Sequence, residues 1–221
     1  MIISTNALAN NNIRFITPML DSFIRPVIER PLQICGKYIA GSGLSATMIT
    51  AVNFVLVPVI LGIIMTGQFT AGFCLILINR FLDGLDGAVA RAHVDGESDF
   101  GGFLDIVSDF ILYAGVIFSF AVYDTNMSVA AAFLLFSYMG TSSSFLAYAI
   151  MAAKHNIRSE KRGRKAFAYL GGLTEGSETI IVMLLMCLFP TYFTLIAVSF
   201  GVMCWLTTFG RIAQGWRDFR L

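Results

Sequence analysis

Four aspartates, Asp83, Asp86, Asp105 and Asp109, lie in segments otherwise apolar enough for a lipid bilayer. A carboxylate at membrane depth is costly and marks function. Four of them in reach of one another cannot all stay ionised without cations. Two divalent ions would cancel four negative charges, and an all-oxygen donor set selects hard ions, Mg²⁺ or Mn²⁺. A two-metal carboxylate site suits in-line displacement at phosphorus, because the ions stabilise the phosphoryl group and the leaving oxygen. The chemistry these residues point to is phosphoryl-type transfer at a membrane surface.

Helices must position them. Within Asp83-Gly-Leu-Asp86-Gly87-Ala-Val-Ala90-Arg91, the numbered residues fall at i, i+3, i+4, i+7 and i+8, one helical face. Gly87 and Ala90 would let a flat ligand approach the backbone, and Arg91 suits a phosphate. In the next segment Gly101, Asp105 and Asp109 repeat every fourth residue, again on one face. At a rise of about 1.5 Å per residue, Asp83 lies roughly 12 Å inward from Arg91, and Asp109 roughly 13 Å inward from the start of its helix. Two antiparallel helices would bring these carboxylates to matching height, in a pocket open to the cytoplasm.

The chain of 221 residues is 57% hydrophobic and 13% charged, which excludes one ordinary soluble domain and fits an integral membrane protein. A span needs about 20 apolar residues, and six candidates run over 44–66, 68–90, 100–122, 127–152, 173–190 and 191–213. The expected fold class is therefore all-α, a polytopic protein with six transmembrane helices. Net charge is only +1, but its placement is one-sided. Arg14, Arg25, Arg30 and Lys37 precede the first span, and Arg91 separates the second from the third. Lys154, Arg158, Lys161, Arg162, Arg164 and Lys165 follow the fourth, and Arg211, Arg217 and Arg220 lie at the C-terminal end. The alternate connections carry no Lys or Arg, so the positive-inside rule puts both termini and the acid-bearing ends in the cytoplasm. No cleavable leader is expected, since the first twelve residues are polar.

Residues 13–35 mix Ile16, Leu20, Phe23, Ile24, Val27 and Ile28 with Arg25, Glu29 and Arg30. They read as an amphipathic helix on the membrane surface, interrupted by Pro26 and Pro31, either a plain anchor or a gate beside the site. The basic stretch Lys154–Lys165 sets orientation or attracts a phosphorylated substrate or anionic headgroups. Glu175 and Glu178 open the fifth span, either as acids favoured at a helix N-terminus with Thr174 as cap, or as the lining of an acceptor pocket. Arg80 stands one turn before Asp83, as an orienting ion-pair partner or a substrate contact. His93, Asp95, Glu97 and Asp99 read as a solvated loop, with His93 within reach of the pocket mouth. Ser142, Ser143 and Ser144 suit helix–helix packing. Cys35, Cys74, Cys187 and Cys204 lack metal or redox spacing and read as small apolar side chains. Absence of an internal repeat weighs against a divalent-cation transporter, a reading that would also want acids at the midplane.

The run Asp83-x-x-Asp86-Gly87-x-x-Ala90-Arg91, then Gly101-x-x-x-Asp105-x-x-x-Asp109, resembles the signature of the CDP-alcohol phosphotransferase (CDP-alcohol phosphatidyltransferase) family. Its eight matching positions fall within 27 residues, and the six-span plan agrees over most of the remainder. The resemblance implies transfer of a substituted phosphate, with release of CMP, from a CDP-linked donor to an alcohol hydroxyl. CDP-diacylglycerol is the expected donor; a CDP-choline or CDP-ethanolamine donor with diacylglycerol as acceptor is the alternative. It further implies metal binding by Asp83, Asp86 and Asp105, with Asp109 completing a second metal site and acting as general base. Gly87 and Ala90 would make room for cytidine, Arg91 would touch a phosphate, and Glu175 and Glu178 remain candidates for the acceptor pocket. Two Mg²⁺ or Mn²⁺ per site, a homodimer in a bacterial inner membrane and no nucleic-acid partner complete the expectation. Residues 1–40 would form the cytoplasmic N-terminal segment, 41–215 the membrane domain and 216–221 a cytoplasmic tail.

Overall fold

The computed structural model describes residues 45–92, 98–155 and 174–220, together with Leu32, residues 34–36, Tyr38, Ile39 and Gly41. Most of the predicted amphipathic helix over 13–35 and most of the basic stretch after Lys154 lie outside the described residues, as do His93, Asp95 and Glu97. Among the described residues there is no strand. Helical residues between 32 and 39 are followed by α1 (Ala46–Met65), α2 (Phe69–Ala92), α3 (Asp99–Tyr123), α4 (Ser128–Lys154), α5 (Gly176–Leu188) and α6 (Phe193–Phe219). The protein is an all-α membrane protein.

Each helix coincides with a predicted span to within a few residues, but they are not alike. Helices α1, α3, α4 and α6 are long and apolar enough to cross a membrane. Helix α2 has 24 residues but carries Arg80, Asp83, Asp86 and Arg91. Helix α5 has 13 residues, about 20 Å at 1.5 Å each, less than the ~30 Å hydrocarbon core. Large side chains such as Val52, Val55, Val59, Phe118, Phe136 and Leu206 point outward. In water that would be a liability; in lipid it is the expected outer belt.

Helix starts follow local chemistry. Ser45 caps α1, its hydroxyl accepting from the Met48 N–H at 3.3 Å, and Ser98 caps α3, accepting from the Gly101 N–H at 2.9 Å. Helix α1 ends at a turn through Gly67, whose φ of +80° favours glycine. There a Cβ would also meet the Tyr123 ring at 2.6 Å. Short 3₁₀ turns, Thr125–Met127 and Pro190–Tyr192, join α3 to α4 and α5 to α6. All three short connections therefore sit at the end of the bundle away from the aspartates. At that end Phe69, Phe120 and Phe193 stack, with centroids 5.1 and 4.6 Å apart, and tie α2, α3 and α6 together.

Helix α1 packs against both α2 and α3, α4 against α3 and α6, and α5 against α2 and α6. Helices α2 and α3 are not close-packed on each other; α1 is wedged along both and leaves a cleft between their acidic faces. Lipid offers no hydrophobic drive for helix pairing, so close approach depends on small residues. At Gly201 of α6 a Cβ would lie 2.6 Å from a ring carbon of Phe133 and 3.1 Å from Ser137 Oγ on α4. Gly201→Val should therefore cost about 1–3 kcal/mol, read as a lower Tm in detergent. Gly62→Ala is the control, since nothing lies within 4 Å of its Cβ position, and its Tm should not fall.

Candidate active site

The cleft between α2 and α3 collects the acids. One carboxylate oxygen each from Asp83, Asp105 and Asp109 lies within 4.8 Å of the other two, and all three residues are half-buried. The donors come from two antiparallel helices at the height that their rise per residue requires. Three converging hard oxygens fit a divalent cation of the Mg²⁺ or Mn²⁺ kind.

Asp86 stands apart from that group. It is 7% exposed and its Oδ2 accepts a hydrogen bond from the Thr50 hydroxyl of α1 at 2.7 Å. Asp86 lies one helical turn on from Asp83, where α1 packs against α2 and Thr50 meets it. Three of the four aspartates converge; the fourth is held to the wedge helix.

Arg80 resolves toward an ion pair, and with a partner on the other helix. Its Nη1 donates to Asp109 Oδ1 at 2.6 Å and lies 3.7 Å from Asp83 Oδ2. The remaining nitrogens turn to Asn79 Oδ1, with Nε at 3.0 Å. Asn79, fully buried, donates in turn to Asn53 Oδ1 on α1 at 2.7 Å. The second oxygen of Asp109 accepts from the Tyr113 hydroxyl at 3.0 Å. Both oxygens of the expected base are thus oriented, each from a different side.

Thr50, Asn53, Asn79 and Tyr113 escaped sequence reasoning, yet each carried a signal. Tyr113 extends the four-residue repeat of Gly101, Asp105 and Asp109. Thr50 and Asn53 share a face of α1 at i, i+3, and Asn79 is an amide in mid-span.

On the outward part of α2, Gly87 lies beside Arg91; a Cβ there would sit 3.3 Å from Arg91 Nη1. Arg91 is exposed, while Ala90 is buried at 6% exposure. Gly101 is used locally: a Cβ on it would meet the capping Ser98 hydroxyl at 2.9 Å.

At the start of α5, Glu175 is the N-cap and Glu178 closes a capping box, accepting from the Glu175 N–H at 3.2 Å. Thr174 is not the cap. It is buried and donates to Thr207 of α6 at 3.0 Å, because the box already satisfies the first-turn donors. This helix start adjoins the acidic cleft, since a Cβ on Gly176 would be 3.9 Å from the Tyr113 hydroxyl. Ser143 and Ser144 bond backward to the Gly140 and Thr141 carbonyls of their own helix. All four cysteines are free, Cys35 and Cys74 exposed, Cys187 and Cys204 buried.

Both the sequence and the fold have known relatives. Residues 44–211 match the CDP-alcohol phosphatidyltransferase family. The chain is 44% identical over 199 residues to the inner membrane protein YnjF of Escherichia coli (strain K12), covering 90% of this chain and 96% of that protein. It is 30% identical over 200 residues to the archaetidylinositol phosphate synthase of Pyrococcus horikoshii, covering 87% and 95%. The fold is similar to that of the phosphatidylinositol phosphate synthase PgsA1 of Mycobacterium tuberculosis, a structure with CDP-DAG bound. There the TM-score is 0.68 at 22% identity, over 85% of this chain and 94% of that one. The converging aspartates lie inside the matched region, and the chain belongs to the CDP-alcohol phosphatidyltransferase family.

Proposed function

We propose that this protein transfers a phosphatidyl group from CDP-diacylglycerol to the hydroxyl of a phosphorylated polyol, releasing CMP, at the cytoplasmic face of a bacterial inner membrane. The observation that carries the reading is the convergence of Asp83, Asp105 and Asp109 within 4.8 Å across two helices. The donor is favoured because the helices present an apolar outer surface that suits diacyl tails, and because the PgsA1 structure carries CDP-DAG. A phosphorylated polyol is favoured by two similar proteins named for inositol phosphate products and by the basic stretch after α4. All six helices span the membrane in this reading, the active unit is a homodimer, and the site faces the cytoplasm with both termini.

In the reaction the acceptor oxygen bonds to the phosphorus that bears diacylglycerol, the bond from that phosphorus to the bridging oxygen breaks, and CMP departs with that oxygen. Asp83, Asp86, Asp105 and Asp109 would hold two Mg²⁺ or Mn²⁺, which when bound neutralise the pyrophosphate and the leaving oxygen. Asp109 takes the acceptor proton. Arg80 and Tyr113 hold its carboxylate plane, and a carboxylate retains lone pairs beyond those two bonds. Gly87 and Ala90 leave room for the base of the donor, and Arg91, exposed at the cleft's outer end, meets a phosphate. Glu175 and Glu178, at the helix start adjoining Tyr113, border the acceptor side.

Purified protein supplied with Mg²⁺, CDP-diacylglycerol and a panel of polyol phosphates, amino alcohols and neutral alcohols should release CMP with a polyol phosphate. Release from CDP-choline with diacylglycerol, and none from CDP-diacylglycerol, would reverse donor and acceptor. Manganese uptake into proteoliposomes without CMP release from any CDP-alcohol would replace the enzyme with a transporter. Thr50→Val keeps the shape of α1 but leaves buried Asp86 without its donor. By the cost of removing a partner behind a metal ligand, the Mg²⁺ concentration for half activity should rise about 10-fold or more.

A further inference from the structure

Arg80 is a cation locked in the middle of the acidic cleft. Its side chain is only 10% exposed, and its Nη1 spans Asp109 Oδ1 at 2.6 Å and Asp83 Oδ2 at 3.7 Å. Asn79 grips the rest of the fork and is itself held by Asn53 at 2.7 Å. The Tyr113 ring lies 5.8 Å from the guanidinium carbon. Helices α1, α2 and α3 therefore all fix its place, and it is not a surface arginine that swings aside at no cost. An arginine also keeps its charge at any working pH.

That fixed charge changes the balance in the cleft. Four carboxylates with one guanidinium leave three negative charges. One divalent ion leaves one negative charge; a second would turn the cleft positive. A pyrophosphate diester brings two negative charges and restores the balance. We propose that Arg80 is the resident counter-cation of this site, so that the chain alone holds one divalent ion and takes up the second only together with the donor's pyrophosphate. The inference rests on the functional reading above and deepens it, making metal loading ordered and donor-dependent.

The test counts ions rather than turnover. Protein in detergent is titrated with Mn²⁺, and free ion is followed by its electron paramagnetic resonance signal, with and without CDP-diacylglycerol. One tightly held Mn²⁺ per chain is expected without donor and two with it. Arg80→Met should hold two without donor, the second at least roughly tenfold tighter than in the parent, since a like charge a few ångströms away has gone. Arg80→Lys keeps the charge and should still hold one. Should Arg80→Met fail to fold, Asn79→Ala loosens the grip on the guanidinium and should raise donor-free uptake of the second ion.

Two Mn²⁺ bound to the parent without donor, unchanged in Arg80→Met and Asn79→Ala, would overturn the inference and leave the enzyme reading standing. No Mn²⁺ bound under any condition would overturn the metal site, and this inference with it.

Discussion

Asp109→Asn should lower CMP release about a thousandfold, within the 10²–10⁴ typical of a lost general base, while the protein still folds and binds donor. The amide keeps the shape of the carboxylate and an oxygen able to accept from Arg80 or Tyr113, which now hold both carboxylate oxygens. It cannot take a proton from an acceptor hydroxyl. Asp83, 3.7 Å from Arg80 Nη1, still offers that buried cation a counter-charge, so loss of fold is not expected. Elution as a single species and retained binding of labelled CDP-diacylglycerol separate lost chemistry from lost structure. Turnover near the parent rate would remove Asp109 from the base position.

Asp83→Asn should act first on metal. Its carboxylate is one of the three converging on a single point, and removing one anionic ligand from a hard-cation site weakens binding in proportion to the charge lost. The Mg²⁺ concentration giving half activity should rise by more than tenfold, with much of the maximal rate recovered at high Mg²⁺. The contrast with Asp109→Asn is diagnostic, because added metal replaces a weakened ligand but not a missing base. A metal titration unchanged from the parent would mean that Asp83 does not touch the ion.

Helical periodicity made the acidic faces legible before any coordinates. Spacing by three and four residues put Asp83 with Asp86 on one face and Asp105 with Asp109 on another, and rise per residue matched the heights of Asp83 and Asp109. It could not say what separates the two faces. Helix α1 carries no charged residue, so nothing in its composition announced a wedge that meets Asp86 through Thr50 and Asn79 through Asn53. Arg80 was legible as an orienting cation, but its neighbour along the chain, Asp83, looked like its partner. The closer carboxylate belongs to Asp109, and a contact between helices is invisible to spacing along either one. At α5, Thr174 looked like the cap because its residue type favours that position. The following Glu175 and Glu178 satisfy the same donors as a pair, which freed the threonine for α6.

The stacked phenyl rings that close the far end of the bundle anchor α3 there and leave the aspartates at the far tip of a long arm. From Phe120 to Asp109 is eleven residues of helix, a lever of about 16 Å at 1.5 Å per residue. Tilting α3 by roughly 5° about the rings would carry Asp109 by about 1.4 Å at the other tip. That distance separates touching an ion from standing clear of it. A small rocking about the ring-stacked end would thereby be magnified into assembly or dispersal of the ligands, with the ring stack itself left packed.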